Sequence, residues 1–173
     1  MEFQVTSGEV YITDPCYEEP ENVVPAQNGT WKVYCEVTEE PVWGGHRVTR
    51  LVAEHTTISD INNISHLSSG VDSGQCGVFD AGSYPLTSHS DRSKWYDEIC
   101  KLTLKEPYYG VYSNGVCSSS GMGDGDYPVT ISDYNGKAVK IEIDFLINKE
   151  EEEDYYDGDD GDDGDDEDDE DDE

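Results

Sequence analysis

Positive charge is what this sequence has least of. Its 173 residues hold 10 Lys+Arg against 41 Asp+Glu, a formal net charge of -31. The bases are scattered, with no cluster denser than Arg92-Ser93-Lys94. Direct nucleic-acid binding draws most of its affinity from phosphate contacts, which need a basic face. That class is excluded, and an anionic membrane surface is disfavoured for the same reason. Long apolar runs are missing too. No stretch approaches the about 18 consecutive apolar residues of a membrane-spanning helix. The opening Met1-Glu2-Phe3-Gln4-Val5-Thr6 puts an acid where a secretory signal carries bases, and no apolar segment follows it. A cytoplasmic location is the expectation.

Paired cysteines are also lacking. Cys16, Cys35, Cys76, Cys100 and Cys117 make an odd number with no C-x-x-C pair, which fits neither a disulfide framework nor a zinc ribbon. They read as reduced thiols acting as small core residues. His46, His55, His66 and His89 show no H-x-x-x-H spacing and read as ordinary strand or surface residues.

What the chain has in excess is carboxylate, unevenly distributed. Residues 150–173 contain 19 acids in 24 positions. The remaining 22 acids meet all 10 bases in residues 1–149, a net of -12. The expected organisation is one globular domain over 1–149 and a disordered polyacidic tail over 150–173. Mutually repelling carboxylates with two tyrosines as the only apolar groups cannot offset the entropy of ordering.

The body predicts a mainly β fold (α+β at most), an antiparallel sandwich-like body with one short helix. Extended segments are expected at Gly8–Asp14, Thr30–Thr38, Arg47–His55, around Cys76–Phe79, Gly110–Ser118, Tyr127–Asp133 and Lys137–Ile147. In the second of these, Trp31, Val33, Cys35 and Val37 alternate with Lys32, Tyr34 and Glu36. Pro20, Pro25 and Asn28-Gly29 mark a loop, and the three-residue spacing of Ile58, Ile61, Ile64 and Leu67 hints weakly at a helical turn. The helix is expected over 91–103, where Trp95, Ile99 and Leu102 share a face. Ser88 or Ser90 would cap its start, with Asp91 at the positive end of the dipole.

The last hairpin permits a finer deduction. A two-residue Asn135-Gly136 turn would set Ile131 opposite Lys140, whereas a three-residue loop Tyr134-Asn135-Gly136 sets it opposite Val139. Since a one-residue slip turns the apolar set to the wrong face, the longer loop is expected.

Three boxes stand out: Asp14-Pro15-Cys16-Tyr17, then Val71-Asp72-Ser73-Gly74 closing on Phe79-Asp80, then Gly121-Met122-Gly123-Asp124-Gly125-Asp126-Tyr127-Pro128. With Asp144-Phe145 after them, their order resembles an uncharacterised family of bacterial and phage proteins known as a domain of unknown function. The resemblance spans roughly residues 8–147. It implies a compact, mainly β fold and no particular reaction.

Read chemically, the glycine box has no lysine to make it a phosphate cradle, and Asp124 and Asp126 would repel phosphate. Either it is a tight turn whose aspartates bond local amides, or Asp14, Asp72, Asp80, Asp124 and Asp126 supply hard oxygen ligands to Ca²⁺. The D-x-D-x-P spacing fails the EF-hand pattern. Asp72-Ser73-Gly74 echoes a serine-protease nucleophile box, but His55 and Asp60 lie too close in sequence for that layout. Cys76 has no histidine favoured by spacing. No catalytic residue is assigned and no cofactor is expected apart from Ca²⁺.

The expected function is therefore a non-enzymatic acidic binding protein, of phage or bacterial type. Closely spaced carboxylates imitate a nucleic-acid backbone and suit a basic, nucleic-acid-binding protein partner. The contacts would come from Glu150, Glu151, Glu152, Glu153, Asp154, Asp157, Asp159 and Asp160. The alternatives are a Ca²⁺-dependent module on the loop aspartates, and a small hydrolase in which the 72–80 and 121–128 loops form a cleft.

Overall fold

In the computed structural model, residues 1–39, 45–86 and 90–146 are described. The tail acids Glu150–Asp160 and the capping candidate Ser88 lie outside them. The elements run β1 (Glu2–Val5), β2 (Glu9–Thr13), β3 (Asn22–Pro25), β4 (Gly29–Glu39), β5 (His46–His55), β6 (Asn63–Val71), β7 (Gln75–Asp80), α1 (Arg92–Thr103), β8 (Tyr109–Val111), β9 (Gly115–Ser119), β10 (Gly125–Tyr134) and β11 (Lys137–Asp144). They form two antiparallel sheets, ordered β1-β4-β5-β11-β10-β6 and β3-β2-β7-β9-β8.

The core between the sheets follows from period-2 alternation. Trp31, Leu51, Ala53, Val129, Ile141 and Ile143 of the larger sheet meet Val10, Ile12, Cys76, Val78 and Val116 of the smaller. The opposite face of the smaller sheet is covered as well. There Phe79, Tyr84, Trp95, Ile99 and Cys117 form a second cluster beneath α1. With both faces covered, all six residues of β7 are buried. This explains an unbroken apolar run where a one-sided strand would alternate. The helix matches expectation in position and buries Trp95, Ile99 and Thr103, with Leu102 packed at the edge of the cluster. Asp91 occupies the N-cap without a side-chain capping bond.

The final hairpin departs from the expected loop. The turn has two residues, with Asn135 (φ 54) and Gly136 (φ 76) both left-handed and Tyr134 opposite Lys137. The apolar match is nevertheless restored: Ile131 pairs with Ile141 and Val129 with Ile143. The extra residue sits in the strand, because the register shifts between Ser132 and Asp133 and leaves Val139 as a bulge. A second shift, between Glu36 and Val37, leaves Thr49 of β5 without an opposite residue; beyond it β4 is exposed on both faces, so Val37 is exposed while Trp31 and Val33 are buried.

Other boundaries also differ. Residues 63–71 form an edge strand, β6, not a helical turn. Gly110–Ser118 is two strands, β8 and β9, joined where Ser113 (φ 47) and Asn114 (φ 56) reverse the chain. The proline-marked stretch contains β3, which pairs with β2, and the N-terminal Glu2–Val5 pairs with β4.

Candidate functional site

Asp14 and Asp80 follow or end the neighbouring strands β2 and β7, and both are fully buried. Asp14 gathers the chain around it. Its Oδ1 accepts from Cys16 N (2.8 Å) and Ser73 Oγ (2.6 Å), and its Oδ2 from Asp72 N (2.8 Å) and Ser73 N (2.7 Å). The first box is thus tied to the second through one carboxylate, which is what Asp-Pro-Cys and Asp-Ser-Gly have in common. Arg92 clamps the same turn from the helix, donating to the carbonyls of Pro15, Tyr17 and Pro85 with its guanidinium over the Tyr84 and Trp95 rings.

Asp80 does the same at the other end of β7. Its oxygens accept from Thr6 N (2.8 Å), Ser7 N (3.0 Å), Thr6 Oγ1 (3.1 Å), Ser7 Oγ (2.8 Å) and Ser83 Oγ (3.3 Å). Burial by itself would raise its pKa, but the bonds from Ser7 and Thr6 outweigh burial and hold the carboxyl below its ordinary value. Both aspartates are buried charges paired with backbone N–H and hydroxyl donors.

The remaining three candidates, Asp72, Asp124 and Asp126, are exposed. Asp72 and Asp126 share the edge of β6 with Glu21 and Tyr17. Glu21 Oε2 accepts from Gly70 N at 2.7 Å. A Cβ on Gly70 would lie 3.5 Å from Tyr17 Oη, 3.6 Å from Asp126 Oδ1 and 3.6 Å from Glu21 Oε1. Burial and the Asp72 carboxylate push the Tyr17 phenol up. The five aspartates therefore divide into two internally bonded hubs and three surface groups. Among the described residues no three His, Cys, Asp or Glu side chains are placed to hold a metal ion.

In the glycine box the bonds go to carbonyls, not to its aspartates. Ser120 Oγ and Tyr127 Oη both donate to Gly123 O, and Arg47 donates to Gly121 O at 3.0 Å. Gly121 (φ 70) is obligatory, since a Cβ there would collide with the Val48 carbonyl. Among the described residues no amide donates to Asp124 or Asp126, in place of the expected local bonding; the glycines make the turn and the aspartates are exposed.

The 72–80 and 121–128 loops do meet. Ser120 N donates to Gly74 O at 2.9 Å. The two segments line one cavity of about 380 Å³ with Gly45, His46, Arg47, Thr103 and Tyr108. Among the described residues no hydroxyl lining it is hydrogen-bonded to a histidine. Ser120 Oγ donates to Gly123 O and Thr103 Oγ1 to Gln75 Oε1 at 2.8 Å, while Ser73, outside the lining, bonds Asp14. Cys76 is buried, and desolvation raises its thiol to about 12, which suits packing and not nucleophilic attack. His55 is a structural histidine: Nε2 faces Asn28 O (3.0 Å) while Nδ1 accepts from Thr57 N and Ile58 N. The five cysteines are free. No described helix is long and apolar enough to cross a membrane.

Sequence reasoning singles out Tyr17 as a box residue, but neither Arg47, nor Glu21, nor the clamping role of Arg92. Arg92 stood within the expected helix, and its position one turn before Trp95 was the available signal. Nothing local distinguished Arg47 or Glu21. No family model, curated protein or solved structure matches the chain.

Proposed function

We propose that the protein is a non-enzymatic binding module whose partner is a basic, nucleic-acid-binding protein. The observation that carries this reading is the joining of 19 carboxylates in the last 24 residues to a body that is itself net negative. The state of the body's cations supports it. Lys32 pairs with Glu54, Arg50 with Glu36 and Asp144, Lys101 with Glu98, and Lys140 with Glu142. Arg47 and Arg92 donate to backbone carbonyls. Among the described residues this leaves Lys94, Lys105 and Lys137 outside such pairs, too few to balance 19 tail carboxylates. A polyanion of this density raises the encounter rate with an Arg/Lys groove and competes with nucleic acid for it.

In this reading Glu150–Asp160 supply long-range attraction, and the carboxylates of Glu21, Asp72 and Asp126 extend the same sign onto the body. The resemblance carried by the three boxes concerns the fold, because Asp14, Asp80 and Gly121 answer to packing and hydrogen bonding. The test is binding to a small basic DNA-binding protein of the host, by calorimetry at several salt concentrations, for the full chain and for a chain ending at Lys149. Affinity should fall at least tenfold between 50 and 200 mM salt, as order-of-magnitude counterion release requires, and about as much on truncation. Affinity indifferent to both changes would overturn the proposal.

A further inference from the structure

The cavity where the glycine box meets Gly74 is chemically unlike the rest of the molecule. In a chain with 41 acids, none of its described lining residues is Asp or Glu. They include Arg47, His46, Tyr108 and Ser119. Arg47 is half-buried, and among the described residues its side chain meets no carboxylate; its one bond there, to Gly121 O, fixes the guanidinium and leaves most of its donors for something else. His46 is turned aside toward Glu106, with Nδ1 and Oε1 3.6 Å apart. The wall is built to stay open. Gly74 (φ 68) and Gly123 (φ 100) line it, and a Cβ on either would meet nothing within 4 Å, so a side chain there would project into free space.

We infer that this cavity is a carboxylate-binding subsite, with the Arg47 guanidinium as its fork. A guanidinium presents two parallel N–H donors matched to the two oxygens of a carboxylate. One permanent cation balances a monoanion, whereas a phosphate dianion in so negative a molecule would be left undercompensated. The nearest source of carboxylate is the chain's own Glu150–Asp154. Phe145 N donates to Thr49 O at 2.9 Å, and the Phe145 ring packs on Tyr127, whose hydroxyl holds Gly123 O. Thr49 and Arg47 are two strand residues apart, about 7 Å. The five residues from Phe145 to Glu150 span up to about 18 Å, so the first acids are within reach. A free carboxylate of the medium is the other source. The subsite does not depend on the identity of a basic partner, and it would hold the root of the tail against the body.

The experiment follows the Arg47 Nε–H resonance in the full chain by NMR, assigned with R47K. A full-length variant with Glu150–Glu153→Gln and Asp154→Asn removes the internal source. Sodium acetate and the peptide Glu-Glu-Glu-Glu-Asp are then titrated into it at constant ionic strength. If the tail occupies the site, the variant's Arg47 signal shifts, and added peptide restores it in a saturable way. If the source is external, the variant leaves the signal in place while acetate moves it saturably in both proteins. R47Q should weaken either titration at least tenfold, with the folded spectrum of R47K as the control for structure. An Arg47 resonance that neither the variant nor either titrant moves overturns the subsite.

Discussion

Replacing Asp14 by asparagine tests the claim that this buried carboxylate is an organising hub. The carboxylate accepts four bonds at 2.6–2.8 Å, two on each oxygen. Asparagine keeps one acceptor oxygen and replaces the other with an NH₂. If the amide oxygen takes the Oδ2 place, it still serves Asp72 N and Ser73 N. The NH₂ then faces Cys16 N, donor against donor, while Ser73 Oγ can rotate to accept. One buried N–H is left unsatisfied, at about 1–3 kcal/mol, and charge assistance is lost from two others. The expected destabilisation is about 2–4 kcal/mol, measured as the shift of the urea midpoint with m unchanged. With m of about 2 kcal/mol/M, that is about 1–2 M urea. Asp124→Asn and Asp126→Asn serve as controls. Both side chains are exposed, so each should change stability by no more than about 0.5 kcal/mol. A cost below about 1 kcal/mol for Asp14→Asn, or equal effects at all three positions, would refute the hub.

Asp80 should make stability depend on pH in a defined direction. Its folded pKa lies below the unfolded value, so its contribution is complete above about pH 4 and is lost as the pH falls through the folded value. The stability difference between the native chain and Asp80→Asn should be flat from pH 5 to 7 and shrink below pH 4; a gap that widened with acid would contradict this. Gly121→Ala should cost more than about 2 kcal/mol, because the new Cβ meets the Val48 carbonyl as well as an unfavourable φ of 70. Gly136→Ala, with φ 76 but open space, should cost only about 1 kcal/mol in the same urea titration. Burial raises the thiols of Cys35 and Cys76 to about 12. At pH 8 each should react with a disulfide reagent about a thousandfold more slowly in the folded chain than in urea, and labelling at the unfolded rate would contradict that packing.

The parts of the fold legible from sequence are those in which local periodicity and tertiary burial agree. Trp95 and Ile99 placed the helix, and Trp31, Val33 and Cys35 placed the middle of β4. In the final hairpin the governing condition, apolar opposite apolar, was legible, but its mechanism was not. Asn135-Gly136 makes a tight turn, and the compensating residue, Val139, lies inside the strand, where no turn residue advertises it. β6 escaped notice because an edge strand with Ile64 58% exposed has no buried face along half its length to impose alternation. At the site, Asp14, Asp72 and Ser73 were all visible as box residues. That one carboxylate collects the amides of the other two is a contact across nearly sixty positions, and it exists only after β2 and β7 are side by side. The same holds for Gly74 and Gly121, whose boxes converge because β9 returns the chain past β7.

The burial of β7 on both faces and along both edges has a mechanical consequence. Its amides bond to β2 on one side and β9 on the other, with α1 above and the larger sheet below. No partial opening can bring solvent to Cys76–Phe79 without detaching a whole layer of the molecule. Deuterium should therefore enter this strand last, at the rate of global unfolding, while the rim of β6 exchanges early. The two aspartates at its ends act as clasps on that slowest unit, so loosening either one should be felt along the full length of the strand.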